Sequence, residues 1–441
     1  MTSPAALGKS RSPRLGELLD HPHAFRYLVL VPTIMLLVIG MVMVASASML
    51  EGIEKWDDPF HFSFRQIIFL PAGMLFGTAI YLAVTWQGRP RAFEANQAGG
   101  IKAIAHWLTS NRVVAFLCSD WGRVIAWFAL AFVFALELLT FVPGVGHEMG
   151  GNRNWVNLIG DVRIQPAEFG KLALVWWGAA VFAVKSQAKS ELVNRPGHLL
   201  LPFFAVGILF AALVVVQRDL GTGVVLAAVL MLMLWIAGVP GRILGLIIAP
   251  IALVVVAYIV SDPRRVALIL AYLNPASDLA GSNYQQASAQ LAFARGGWFG
   301  VGLNASRQKW SGLPEAHTDY ILAVTGEELG LVCVLLVIAL FAVLGFAGFQ
   351  ISLRSDIAFF RYASAGITAW ILTAAMVNIA VELGMLPVFG VPLPFLSSGG
   401  SSLVAVLGGI GLLLACAAEL PAARNAPAKK APKLKVTVIQ A

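Results

Sequence analysis

The chain reads as ten long apolar runs separated by short polar breaks, at about 27–47, 66–85, 124–142, 169–184, 199–216, 221–238, 243–260, 320–347, 366–386 and 402–418. A helix needs about 20 apolar residues to cross the hydrocarbon core of a bilayer, so several of these runs must draw on their flanks. Period-2 alternation, the mark of a barrel strand, is absent, and lipid leaves the backbone no other partner than a helix or a closed barrel. All ten runs are therefore predicted to be helices. The stretch 199–238 divides at Gln217-Arg218-Asp219, with Gly221 and Gly223 just beyond. The predicted architecture is an all-α polytopic membrane protein. It has a cytoplasmic N-terminal segment over 1–26, a ten-helix membrane domain over 27–418 and a basic cytoplasmic tail over 419–441.

Composition excludes the alternatives. Of 441 residues 59% are hydrophobic and 12% charged, against roughly 25% charged in an ordinary soluble domain. That rules out a soluble globular enzyme and a disordered chain. The net charge of +8 would suggest nucleic acid in a soluble protein. Here excess Lys and Arg mark cytoplasmic loops, and no nucleic-acid partner is expected. With the N-terminus inside, 20 of the basic residues fall in cytoplasmic segments and 10 in outer loops, which predicts both termini inside. The first 25 residues are largely polar and hold Pro4, Pro13 and Pro22. They make no cleavable signal peptide, and the first apolar run is a span. Cys118, Cys333 and Cys416 lie too far apart for a metal motif or a disulfide framework.

Four segments outside the spans carry patterns of their own. In 86–122, Ile101, Ile104, Trp107 and Leu108 recur at helical spacing beside Lys102 and Arg112. This is either an amphipathic helix on the membrane surface or a solvated linker. The tail 421–436 has five basic residues and three prolines, and is expected to be a disordered extension near anionic lipid. The outer loop 261–319 is too long to be a plain connection, and Tyr272, Tyr284, Phe293, Trp298, Phe299 and Trp310 give it the composition of a structured extracellular element. A shorter outer loop, 143–168, holds Gly144, Gly146, Gly150, Gly151, Arg153, Trp155 and Arg163. Two outer loops rich in Gly, Trp and Arg suggest one extracytoplasmic site.

Candidate chemistry lies at the outer ends of the spans, where ionisable groups are costly and often functional. Pro166 suits the first turn of the fourth span, which puts Glu168 and Lys171 at i,i+3, close enough to pair. They are either a structural ion pair or, through Lys171 with Arg163 and Arg153, an anion site. Pro314-Glu315-Ala316-His317-Thr318-Asp319 opens the eighth span. If helical, it places Glu315 and Asp319 on one face. A carboxylate at such a boundary can act as a general base, while Thr318 or Asp319 can equally serve as a helix cap. Glu327 and Glu328, two turns deeper, read as a satisfied polar network. The stretch from Pro387 to Ser402 reads as a re-entrant turn lining a cavity, since irregular backbone at membrane depth needs protein or water around it. Ser397 and Ser398 have no His or Asp nearby in sequence, so neither reads as a nucleophile.

These motifs together resemble the SEDS (shape, elongation, division and sporulation) family, the FtsW/RodA-like membrane peptidoglycan polymerases. The resemblance runs from the first span to about residue 418. It rests on Asn152-Arg153-Asn154-Trp155, Gln165-Pro166-Ala167-Glu168 to Lys171, Asp219-Leu220-Gly221-Thr222, Tyr284-Gln285, Gly296-Gly297 and Gly300-Val301-Gly302. It continues through Pro314 to Asp319, Glu327-Glu328-Leu329-Gly330, and Pro394 to Ser402. The chain departs from the family at Asn154, where a basic residue is usual, at Arg218, where many members have Pro, and at Ser398, where Tyr is frequent. Ala316 resembles the division branch more than the elongation branch.

The resemblance implies a glycosyltransferase that polymerises lipid II at the outer face of the cytoplasmic membrane, at the septum during division. Asp319 would be its essential carboxylate. Lys171 and Arg163 would bind the pyrophosphate, directly or through a divalent cation, magnesium or manganese. Arg153, Trp155, Glu168, Asp219, Glu315, His317, Thr318, Ser397 and Ser398 would complete the substrate site. The implied partners are a class B penicillin-binding protein, which is a transpeptidase, and other divisome membrane proteins. Two other functions compete: a lipid II flippase and a scaffold recruiting the transpeptidase. An alternating-access transporter should show inverted repeats, and none is evident. An intact Asp319 speaks against a scaffold alone.

Overall fold

A computed structural model describes residues 21–86, 120–149, 152–157, 163–186, 201–261, 284–310 and 313–424, with isolated positions between 263 and 272. All ten apolar runs are helical. They form α1 (Ala24–Ala47), α3 (His61–Trp86), α4 (Asp120–Leu139), α5 (Pro166–Lys185), α6 (Phe203–Val216), α7 (Leu220–Ile236), α8 (Gly241–Val260), α10 (Ile321–Arg354), α11 (Ala358–Glu382) and α12 (Gly400–Ala418). Six of these are long and apolar enough to span by length and composition; α4, α6, α7 and α8 supply shorter apolar stretches. Among the described residues, α2 (Met49–Trp56), α9 (Tyr284–Gly296) and α13 (Pro421–Arg424) are further helices outside the spans. The surface-helix pattern of 86–122 lies almost wholly outside the described residues, as do most of 262–283 and the tail beyond Arg424.

The bundle buries large aromatic side chains in its core and exposes apolar ones, aliphatic and aromatic, along its outside. Trp177, Trp370, Phe182, Phe203, Phe210 and Phe359 are fully buried, while Leu75, Phe128, Leu246 and Leu253 are exposed along the spans. Helices α3 and α12 cross closely. A Cβ on Gly77 would stand 2.4 Å from the Leu407 carbonyl oxygen, and one on Gly411 would stand 2.1 Å from that of Gly77. Only glycine lets the two backbones approach so closely, the small-residue device of membrane helices.

One end of the bundle gathers the odd features. There Glu137 of α4 meets Gln217 after α6, Gln165 before α5 meets Ser401 of α12, and Ser46 of α1 meets Glu328 of α10. The loop 143–168 adds a small β element to this helical fold. It forms a small antiparallel sheet, β1 (Gly146–Met149), β2 (Asn152–Asn157) and β3 (Arg163–Ile164), in the order β1-β2-β3. The register pairs His147 with Trp155 and Asn157 with Arg163.

Glu327 and Glu328 form the satisfied network that their depth suggested, at a break in α10. Gly330 has φ 79 and is not helical. The turn after α9 docks into the gap: the N–H groups of Val301 and Gly302 donate to the carbonyls of Glu327 and Glu328, and that of Leu331 donates to Gly297. The Glu327 carboxylate accepts from Ser306 and from the Arg307 N–H. The Lys309 ammonium bonds Glu328, Asn304 and Ser46.

The charge distribution puts this end outside. In a chain whose own cysteines are replaced, Ala305→Cys and Ser186→Cys offer exposed positions on opposite sides of the membrane. Ala305→Cys should react with an impermeant thiol reagent in whole cells and Ser186→Cys only after lysis. The reverse labelling would overturn the orientation.

Candidate active site

Asp319 is held by its backbone rather than by its side chain. Residues 314–320 form a string of turns, and α10 begins only at Ile321. Glu315 is therefore not on a helical face with Asp319, as its spacing suggested. Its φ is 56, and its carbonyl accepts from the N–H groups of Thr318, Asp319 and Tyr320 at 3.1, 3.1 and 3.3 Å. Thr318 and Asp319 do not cap α10: Tyr320 stands at the N-cap and makes no side-chain cap bond. The Thr318 hydroxyl instead donates to the Glu315 carboxylate at 2.7 Å.

The segment Pro387–Gly399 packs into the bundle, as its Pro, Gly and Ser content suggested. A Cβ on Gly40, in the body of α1, would stand 2.4 Å from the Phe395 carbonyl oxygen, and Leu393, Phe395, Leu396 and Ser397 are buried. This re-entrant segment clamps the turns before α10. The Ser398 N–H donates to the His317 carbonyl at 2.9 Å, and the Ser397 hydroxyl donates to the Thr318 carbonyl at 2.6 Å. The Asn378 amide of α11 donates to the carbonyls of Asp319 and Val391, each at 2.9 Å. Ser397, through its hydroxyl, and Ser398, through its backbone N–H, thus hold the backbone of residues 317 and 318. From the other side, the buried His317 has its ring 4.5 Å from Phe62 and its Nδ1 3.1 Å from Glu51 Oε2. Hydrogen bonding to His317, reinforced by Lys55, holds the Glu51 carboxyl down to about 2.

The Asp319 carboxylate is half-buried. Burial pushes it up to about 7; repulsion from Glu315 adds to this, the His317 side chain opposes it, and Asp219 adds a further push. A carboxyl poised near neutrality suits proton transfer at physiological pH.

Asp219 ties three elements together. Its carboxylate caps α7 through the Thr222 N–H (2.9 Å) and accepts from Asn154 of β2 (2.7 Å) and from Gln165 before α5 (2.9 Å). Asn154, the departure from the basic residue, is therefore a partner of Asp219. Arg218 has φ 71, a conformation closed to proline, so the second departure accompanies a different turn. Lys171 and Glu168 are both buried and paired at 2.5 Å, with the ammonium 5.4 Å from the Trp370 ring centre. Burial raises the Asp219 carboxyl above its ordinary value; the hydrogen bonds from Thr222 and Asn154, and the Lys171 charge after them, oppose that rise.

Arg153 and Arg163 flank it on the sheet. Arg153 donates to the Phe141 carbonyl at 3.2 Å. Arg163 is half-buried on β3 and makes no ion pair among the described residues. Trp155 is half-buried on β2. An apolar cavity of about 590 Å³ opens between α3, α4 and α5, lined by Phe76, Ile80, Phe132, Phe169 and Trp176, with Ile164 beside Arg163 among its lining residues.

Several residues that build this site were not among the sequence candidates: Asn378, Glu382, Glu51, Gln165, Ser401 and the Glu137–Gln217 pair. Asn378, Glu382 and Glu137 carried a signal, each being a strongly polar residue within a long apolar run. Glu51 carried none.

Residues 100–421 match a family model described as a cell cycle protein, which groups FtsW, RodA and SpoVE. The chain is 34% identical over 391 residues to stage V sporulation protein E of Bacillus subtilis strain 168, covering 88% of this chain and 95% of that protein. It is 34% identical over 384 residues to a probable peptidoglycan glycosyltransferase FtsW of Legionella pneumophila, covering 86% and 87%. A chain solved in work titled "Structural coordination of polymerization and crosslinking by a peptidoglycan synthase complex" shares the fold, with TM-score 0.63 and 23% identity over 88% of this chain and 96% of that one.

Proposed function

The chain belongs to the cell cycle protein family of FtsW, RodA and SpoVE, and on that premise we propose that it is a peptidoglycan glycosyltransferase. It polymerises lipid II into glycan at the outer face of the cytoplasmic membrane and serves septal wall synthesis. The observation that carries this reading is Asp319, a half-buried carboxylate at the outer end of the bundle, pushed up to about 7 and held through its backbone.

The reaction joins the acceptor 4-hydroxyl oxygen to C1 of the donor sugar. The bond from C1 to the pyrophosphate oxygen breaks, and the polyprenyl pyrophosphate leaves. Asp319 takes the hydroxyl proton as the new bond forms. Arg163 and Lys171 meet the charge that builds on the leaving pyrophosphate, the guanidinium with its planar fork and the ammonium as a point charge. The apolar cavity beside Ile164 takes part of the polyprenyl chain. A magnesium or manganese ion bound with the pyrophosphate would add positive charge there, beside Arg163 and Lys171. A class B penicillin-binding protein crosslinks the product. It and the other divisome membrane proteins are the expected partners.

The reading fixes a pH dependence. A base must be ionised, so the polymerisation rate from purified lipid II should fall as the pH drops through about 7. Burial is the main cause of that value, and Glu315 is the next. Glu315→Gln removes the like charge and leaves the burial. It should move the midpoint of the acid limb below that of the wild type while keeping it above the usual carboxylate range near 4. A limb that stays in place or moves upward contradicts the assignment.

A further inference from the structure

Helix α10 starts two residues after Asp319, and its own sequence gives it no cap. Tyr320 occupies the N-cap position without a side-chain bond to the first turn, although the first N–H groups of a helix need acceptors. Two of them find one on another helix. The Ala323 N–H donates to Glu382 Oε2 at 2.6 Å and the Leu322 N–H donates to Glu382 Oε1 at 3.3 Å.

Glu382 is the last residue of α11 and is fully buried. It makes no ion pair among the described residues; its hydrogen-bond partners there are these two backbone donors. A carboxyl oxygen placed at a helix N-terminus supplies the acceptor that its first N–H groups lack. One turn earlier on the same face, Asn378 donates to the carbonyl of Asp319 itself. The last turn of α11 thus grips the chain on both sides of Tyr320, Asn378 before it and Glu382 after it.

We propose that Glu382 is a positioning residue for Asp319: a helix cap supplied by a neighbouring helix, which fixes where α10 begins and so where the Asp319 carboxylate stands. None of the motifs that carry the family resemblance contains it. The inference rests on the reading of Asp319 as the base.

The test compares Glu382→Ala, Glu382→Gln and Asp319→Asn as purified full-length proteins with the same lipid II and transpeptidase partner. Folded fraction is measured by thermal unfolding. Glu382→Ala should expose the amides of Leu322 to Thr325 to faster hydrogen exchange. It should lower kcat per folded molecule by about 10²-fold, the scale expected when a catalytic group is displaced by about 1 Å, with KM for lipid II near the wild-type value. Glu382→Gln should recover most of the rate, because its amide oxygen still accepts the shorter bond from Ala323.

A purely structural role predicts less folded protein and an unchanged kcat. That result would overturn the proposal, as would Glu382→Gln being as slow as Glu382→Ala. If Glu382→Ala does not fold, Glu382→Asp carries the test. It keeps the carboxyl group but withdraws it by one methylene; a slow enzyme supports positioning and a wild-type rate refutes it. A fully active Asp319→Asn would instead defeat the reading of the base. The cap itself is read separately, by the exchange of the amides.

Discussion

Lys171→Ala should unfold the outer end of the bundle before it reports on catalysis. Both partners of the Lys171–Glu168 pair are buried, with side chains 5% and 2% exposed, and Glu168 Oε2 already lacks a hydrogen-bond partner among the described residues. Removing one member of a buried pair leaves the other charge uncompensated, at a cost of about 3–5 kcal/mol. The double change Glu168→Gln with Lys171→Gln removes both charges and keeps the shapes, and should restore thermal stability to near wild type. Lipid II use should stay impaired. A charge-assisted bond contributes about 1.5–3 kcal/mol, so losing the ammonium should cost about 10- to 100-fold in kcat/KM. Full activity in the stable double variant would show that the pair only holds the helix in place.

Asp319→Asn should have the largest effect on turnover and nearly none on folding. None of the hydrogen bonds that hold residues 314–320 among the described residues uses the Asp319 carboxylate. Asn378, Ser397 and Ser398 all bind backbone atoms. The amide has the same size and cannot accept the proton. General-base catalysis contributes about 10²–10⁴-fold, and the rate should fall by that order. Burial raises this carboxyl, so exchanging it for a neutral amide removes a group whose charged form is costly, and the unfolding temperature should hold or rise.

The ten spans were legible because lipid permits little else: a run of about 20 apolar residues with every backbone group to satisfy has one local solution. The re-entrant segment was legible for the same reason, as proline and glycine at membrane depth must be covered by protein. The loop sheet was not. Gly, Trp and Arg over 143–168 mark a structured loop but do not set a register. The break in α10 was hidden because Glu327-Glu328-Leu329-Gly330 reads as an uninterrupted helix. Gly330 leaves the helical region so that the turn at 297–302 can dock there.

At the site, sequence singled out Asp319, Lys171 and Asp219 but not what surrounds them. It placed Glu315 on a helical face, whereas the chain turns there with φ 56. A lone Glu or Asn in an apolar run shows that a partner exists without saying where. Glu382 finds its partner 59 residues away, at Ala323, and Asn154 finds Asp219 65 residues away. Such pairings belong to the packing of the bundle and have no local signature.

We propose Asp319 as the base of a lipid II polymerase, and the direct measurement is the yield and length of glycan made from purified lipid II by wild-type and Asp319→Asn protein, each with a class B penicillin-binding protein and matched for folded fraction. The wild type should make long glycan, and a variant that is folded, membrane-inserted and bound to its partner almost none. Near wild-type polymerisation by Asp319→Asn would contradict it.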